Sequence, residues 1–589
     1  MSLQLVLQNY LASLKERDEL DALLPELLIA MGHSVLSRPQ TGVPQAGVDI
    51  LSSYTDADGH EELYMFIIKF GDIGREDLFT GKQAILPSAR EAYTDFARHR
   101  LTEAQKALPK HLVVVSSGVV KQEATSGFAG LADEVNAQPG FTFDFWGIDQ
   151  LTPLIEEHVF DESLLLANGK SDLRAALAGL EDSQASIHRF VRFTETSLAT
   201  PESEANDSAP TRRRKFLRRC AAAAMGHGVL VVWGKSENNL KPAVVAGEYL
   251  ALRMWAKAVD LGLTEDEEFQ ERLAATLRVH LQTLFDYFEK VLSVLKNQRA
   301  MVRHRPNPVF YADLVFEELG RLATLLLLIQ HDPASQDLRK VVLDELIEVI
   351  NANSISLLPL LDGQGIDLAL VFSAMMGEGA LDAARGLLKG VSIRLRNALA
   401  RNEHLPVDTD LIEDAIAVHF TGDAEGRDFF ETSTLIPMLA TVAAVLNDEE
   451  ALDFLRGLAS QLEGVTLERW YPTNAIERFT GAKRNLTQIS ASRVLDGFQQ
   501  DAAAELQASL RIPANADEPA DLKWYGKPWE VLTAVSARLH RHPLPTWYVA
   551  SSLERIATSQ ESESGSPAEG SSATPQPGPG TGESNEAPA

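Results

Sequence analysis

Asp49 and Lys69 are the two residues whose types and placing most suggest chemistry. Asp49 sits in Gly47-Val48-Asp49-Ile50-Leu51, and Lys69 ends the apolar run Leu63-Tyr64-Met65-Phe66-Ile67-Ile68-Lys69-Phe70. Thr55-Asp56-Ala57-Asp58-Gly59-His60 lies between them, and Asp-Gly is a strong hairpin signal. A hairpin of this kind sets a carboxylate beside an ammonium. The carboxylate offers the hard oxygens that Mg²⁺ accepts, and the ammonium opposes negative charge as it develops. Ile67, two residues before Lys69, can neither ligate a metal nor orient water.

The flanking segments alternate helix and strand. Leu5 to Met31 reads as mostly helical, with an apolar stripe through Leu20, Leu23, Leu24, Leu27 and Leu28 and an expected break or kink at Pro25. Gly32 suits the left-handed cap position. Ser34-Val35-Leu36 is a short strand, and the hairpin follows. Ala84 to Lys106 reads as helix interrupted at Pro87, and Leu112-Val113-Val114-Val115 as a strand buried on both faces. Lys121 to Asn136 is a helix and Phe141 to Trp146 a last strand. Asp149 then caps a helix to about His158. This order predicts an α/β domain with a mixed central sheet over residues 1–165.

Taken as a set, Glu26, Gly32-His33, Gly47-Val48-Asp49-Ile50 and Ile67-Ile68-Lys69 resemble the PD-(D/E)XK restriction-endonuclease-like superfamily, in its Mrr-like branch. Val113 to Gly118 with its following helix, and Phe145-Trp146-Gly147-Ile148-Asp149-Gln150-Leu151, resemble the later elements of that fold. The resemblance covers roughly residues 10–165. It implies that Asp49 is a metal ligand, Lys69 the charge stabiliser, Glu26 an accessory ligand and Ile68 a carbonyl donor. The implied cofactor is Mg²⁺ and the implied reaction is hydrolysis of DNA phosphodiesters. Ile67 departs from the pattern, where the family carries an acid or, in the Mrr branch, Gln. Asp72, Glu76 and Gln45 are nearby groups without that strand-fixed position.

The chain has 589 residues and a single cysteine, Cys220, so an intrachain disulfide is excluded and a reducing, cytoplasmic setting fits. The start, Met1-Ser2-Leu3-Gln4, lacks signal-peptide character, and the longest apolar runs are too short for a bilayer. Net charge is −29, which opposes non-specific binding to nucleic acid. Residues 1–170 share this balance, with 13 Lys and Arg against 25 Asp and Glu. Any contact with DNA therefore needs a local patch.

A helical connection and polar linker occupy residues 166–212. The stretch Arg212-Arg213-Arg214-Lys215 with Arg218 and Arg219 is the most basic in the chain. It reads either as a solvated face with interdomain ion pairing or as a phosphate-contacting patch. Residues 213–557 read as an all-α domain, of irregular helical-repeat character if the helix pairs stack. Thr264-Glu265-Asp266-Glu267 opens one long helix, and another is expected at 485–510. Residues 558–589 form a Ser, Gly, Pro and Glu-rich tail with the composition of disorder.

Other motifs are weaker. Gly228 to Ser236 has the wrong glycine spacing for a phosphate-binding loop and reads as core followed by a turn at Gly234, with Ser236 or Asn238 capping the next helix. Arg299 and His304 match the Arg-x4-His spacing of HEPN-type RNases, but a basic helix end explains them as well, and His540-Arg541-His542 reads likewise. Trp470-Tyr471 and Trp524-Tyr525 with Trp529 read as core aromatics or partner anchors. Two functional expectations result. One is a nucleic-acid-associated protein of bacterial antiviral defence with weak or absent Mg²⁺-dependent cleavage. The other is a non-catalytic scaffold whose helical part binds a protein partner or a second copy. Neither involves a membrane.

Overall fold

The computed structural model describes residues 8, 11, 20–37, 46–56, 58–80, 84–158, 169–304, 307–330, 332–401, 406–409, 411–421, 430–462, 464–472, 490–494 and 528–553. Five strands form one sheet in sequence order: β1 Ser34–Ser37, β2 Ile50–Thr55, β3 Glu61–Lys69, β4 Lys110–Ser116 and β5 Phe141–Trp146. The first three are antiparallel neighbours, and β3–β4 and β4–β5 are parallel, so the sheet is mixed as expected.

The hairpin closes as its residues dictate. Asp56 Oδ1 accepts the Asp58 and His60 amides at 2.9 and 2.8 Å, and Gly59 takes φ +86°. On one side of the sheet, Ile50, Phe66, Ile68, Val113 and Val115 pack under helices α1 (Asp21–Ala30) and α2 (Ile148–His158). On the other, Leu51, Met65, Ile67, Leu112 and Val114 pack under a helix at Ile85–Glu91 and another at Thr125–Asn136. β4 is covered on both faces, which is why its four central residues are all apolar.

Several local expectations are corrected. α1 runs through Pro25 without ending. Pro87 does not interrupt its helix, because it lies in the first turn, where backbone N–H groups lack intrahelical partners anyway. Asp149 falls inside the first turn of α2 and is not its cap. Gly32 does take the left-handed conformation, at φ +95°.

The rest of the described chain is mainly helical. The elements used below are α3 Gly169–Ala178, α4 Ser183–Leu198, α5 Ala209–Ser236, α6 Lys241–Leu261, α7 Glu267–Leu295, α8 Pro308–Ile329, α9 Gln364–Gly377 and α10 Val531–His540. Asp266 caps α7 by accepting the Phe269 amide at 3.0 Å. Gly228 to Ser236 belongs to α5, and the chain does not turn at Gly234. A Cβ there would lie 2.8 Å from the Asn239 carbonyl, so glycine serves close packing; Leu240, not Ser236 or Asn238, precedes α6. A three-stranded sheet, β6 Thr432–Ser433, β7 Thr466–Pro472 and β8 Ser490–Val494, stands in the region read as all-α; β8 takes residues 490–494 of the helix expected at 485–510, the rest of which lies outside the described residues. The tail at 558–589 and Trp524-Tyr525 lie outside the described residues. No described helix is long and apolar enough to cross a membrane.

One core cluster spans the sheet and the first helices that follow it. The cluster beneath α1 and α2 continues through Leu173, Leu177, Phe190, Phe193, Met225 and Leu230 of α3, α4 and α5. A fully buried side chain of this size contributes about 1.5–3 kcal/mol, so this seam is a substantial apolar junction.

Candidate functional site

Asp49 is placed by a turn that only glycine permits. Gly47 has φ +79°, and a Cβ there would fall 2.1 Å from the Ser88 carbonyl oxygen. The chain is thereby pressed against the Ile85–Glu91 helix and leaves the line of β2. The Asp49 amide donates to the Phe66 carbonyl at 2.8 Å, and Asp49 Oδ2 accepts the Ile68 amide at 2.8 Å. The carboxylate thus supplies the acceptor that a straight strand would have supplied from its backbone. Lys69, half-buried, ends β3 beside Ser116 of β4. Asp49 and Lys69 therefore stand at the same end of the hairpin.

The other positions of the family resemblance have the following surroundings. Ile67 is 1 % exposed and packs with Val48, Leu51, Met65 and Val114. Ile68 is equally buried, on the opposite face, so the two isoleucines fill the two cores. Glu26 is ion-paired with Arg272 of α7, which also holds Glu268 at 3.0 Å. Arg272 is largely buried, so its positive charge needs that carboxylate. Asp72 accepts the Val119 amide at 3.1 Å, Glu76 is exposed in a short helix, and Gln45 lies outside the described residues. A Mg²⁺ ion prefers several hard oxygens in near-octahedral array. Among the described residues, the carboxylate fixed here is that of Asp49, whose Oδ2 also accepts the Ile68 amide, and a single carboxylate is too few for such an ion.

The basic stretch opens α5. Arg213 binds Asp266 and Glu268, the latter at 2.9 Å. Lys215 binds Asp207 at 2.9 Å, and Arg219 pairs with buried Glu204. Arg218 donates to the Ala30 carbonyl at 3.0 Å, which ties α5 to the end of α1. Arg213 holds the Asp266 carboxyl below its ordinary range. Arg212 and Arg214 are exposed. The stretch thus provides ion pairs to neighbouring segments and one hydrogen bond to the end of α1, with two arginines facing solvent.

One polar cluster carried no sequence signal. His111 of β4 contacts Asp144 of β5 at 3.0 Å through Nδ1 and Glu62 of β3 at 3.3 Å through Nε2. Tyr64 stacks on His111 at 4.4 Å and donates to Glu62 at 3.2 Å. His33 meets Tyr64 edge-on and contacts the Ser52 hydroxyl at 3.0 Å. Hydrogen bonds to Asp144 raise the pKa of His111, whereas burial lowers that of His33 to about 4. These residues are scattered in sequence, and only the cross-strand register aligns Ser52, Tyr64 and His111. They lie at the opposite end of β3 from Lys69.

Of the weaker motifs, Arg299 and His304 lie on the short helix Gln298–His304, and Trp529 packs 6.2 Å from Trp255. His540 ends α10, and Arg541 follows in the left-handed conformation. Set against protein-family models, curated proteins and solved structures, the chain matches none of them.

Proposed function

We propose that this is a nucleic-acid-associated protein whose N-terminal domain is a degenerate PD-(D/E)XK-like nuclease domain, with weak or absent metal-dependent cleavage of DNA. The observation that carries this reading is the joint placement of Asp49 and Lys69 at one end of the β2–β3 hairpin, with two parallel strands following. Burial of Ile67 and the pairing of Glu26 with Arg272 are the reasons that cleavage is written as weak or absent. A role in bacterial antiviral defence rests on analogy with proteins that join such a domain to a large helical region.

The test is a cleavage assay on plasmid and linear DNA with Mg²⁺ and with Mn²⁺, run beside DNA binding by the same protein. Binding without cleavage above that of Asp49→Ala and Lys69→Ala is the expected result. Absence of both binding and cleavage overturns the proposal.

A second reading, a non-catalytic scaffold for a protein partner or a second copy, is favoured by one observation. Arg213, Lys215, Arg218 and Arg219 already have partners within the chain. Failure to bind DNA would move the weight there.

A further inference from the structure

The interior of the helical region holds an ionic cluster that the proposed function does not use. His227 of α5, Glu248 of α6, His280 of α7, and Glu318 and Arg321 of α8 are at most 2 % exposed, and Arg538 of α10 is 6 % exposed. Glu248 is ion-paired to Arg538, and Arg321 to Glu318. Arg321 also reaches Glu317 at 2.7 Å, which Lys241 holds from the other side at 3.1 Å, while Tyr287 donates to Glu318 at 2.9 Å. Three carboxylates, Glu248, Glu317 and Glu318, thus balance three cations, Lys241, Arg321 and Arg538.

The histidines stand inside this balance as neutral rings. His227 Nε2 donates to the Ala243 carbonyl at 2.9 Å. His280 Nε2 lies 4.0 Å from Glu248, and neither of its ring nitrogens has a hydrogen-bond partner among the described residues. Gly247 makes room for both: a Cβ there would lie 2.7 Å from His280 Nδ1 and 2.8 Å from His227 Nε2. A proton on either ring adds a fourth cation, and the acceptor in reach of His280 is the carboxylate that holds Arg538.

Arg538 belongs to α10, which packs on α6, α8 and α9. Its second anchor is Arg541, bound to both oxygens of Asp367 at 3.0 Å and to the Gly363 carbonyl at 2.7 Å. Two buried carboxylates therefore hold the end of this helix.

We propose that α10 is an acid-released latch, in which an imidazolium at His280 takes Glu248 from Arg538 and the last turn of α10 leaves its seat. Other titratable groups also face α10: His542 contacts the Ser536 hydroxyl at 3.0 Å, and burial raises the carboxyls of Glu248 and Asp367. Burial near Glu317 raises Asp313 to about 6, and its charge also acts on Arg541, so comparison with His280→Gln is what separates the imidazole from these groups. Desolvation and the charges of Arg538 and Arg321 keep His280 neutral while the latch is closed.

Hydrogen exchange of the full chain at pH 7.5 and pH 5.0, corrected for intrinsic rates, tests the latch. An opened state with an ordinary histidine pKa near 6.5 gains about 30-fold in population at pH 5. Protection in α10 should fall by about that factor while α8 holds, and His280→Gln should abolish the difference. Equal loss in α8 and α10, or an unchanged acid response in His280→Gln, overturns the proposal. Should His280→Gln fail to fold, the double variant Glu248→Gln with Arg538→Gln serves, since an uncharged pair gives the imidazolium nothing to capture. Persistence of the acid response in that variant likewise overturns it.

Discussion

The end of the β2–β3 hairpin and the middle of the helical region differ in what they bury. At the hairpin, where the family resemblance asks for a second acid, the chain carries Ile67 sealed in an apolar core. In the helical interior, among apolar neighbours, it carries Glu248, Arg538, Arg321, Glu318, His227 and His280. Burial decides what each place can do. A carboxylate at Ile67 would be a lone buried charge, which is costly, whereas charges among the helices persist because each meets an opposite one. The contrast teaches that placing a potential site demands knowing what surrounds it, because the same residue type is reactive, structural or excluded according to its neighbours.

The largest expected effect comes from unbalancing the helical cluster. Arg538→Ala strands the buried Glu248 carboxylate and should cost about 3–5 kcal/mol in denaturant unfolding, whereas replacing both partners by apolar residues of similar volume should cost far less. A loss as large in the double variant would show that packing, not charge balance, sets the value of the cluster. At the other pole, Ile67→Glu should destabilise the sheet domain by about 3 kcal/mol and give no Mg²⁺-dependent cleavage. Gain of cleavage there would break the comparison, because it would mean that the hairpin tolerates a charge at a position whose side chain is buried among apolar neighbours.

Acid sharpens the comparison next. His227 is lowered to about 4 by burial, and His33 in the sheet domain likewise. A histidine whose folded pKa lies below its unfolded value keeps stability at neutral pH and loses it as pH falls through 6.5 toward the folded value, since the unfolded chain binds the proton first. Each should cost about 2 kcal/mol at pH 5. His111, raised by Asp144, works the other way and contributes stability below its unfolded pKa that is lost as pH rises through the folded one. His33→Gln should therefore flatten the acid side of a pH–melting profile, and no change in slope would remove His33 from this account. The smallest effect is local. Asp49→Ala leaves the Ile68 amide without its acceptor and should cost about 1–3 kcal/mol, with Asp49→Asn close to neutral because an amide oxygen can accept the same bond. Equal losses would show that the charge, and not the acceptor, is what the hairpin requires.

The sequence alone determined much of the local architecture. Asp58-Gly59 marked the turn, the Val113–Val115 run marked a strand covered on both faces, Gly32 marked a left-handed cap, and the Thr264–Glu267 stretch marked the start of α7. These are short-range consequences of backbone sterics, capping and burial, and they are written in adjacent residues. It also placed Asp49 and Lys69 at one end of one hairpin. Only the tertiary structure decided what those residues meet. Glu26 is answered by Arg272, Glu248 by Arg538 and Asp367 by Arg541, pairings that link residues far apart in sequence. Ionic partners of this kind leave no periodic trace, because a carboxylate on a helix looks the same in sequence whether it faces water or a buried guanidinium. The three-stranded sheet of β6, β7 and β8 was hidden for a related reason: its strands pair across long separations, and its short segments lack a period strong enough to compete with helix.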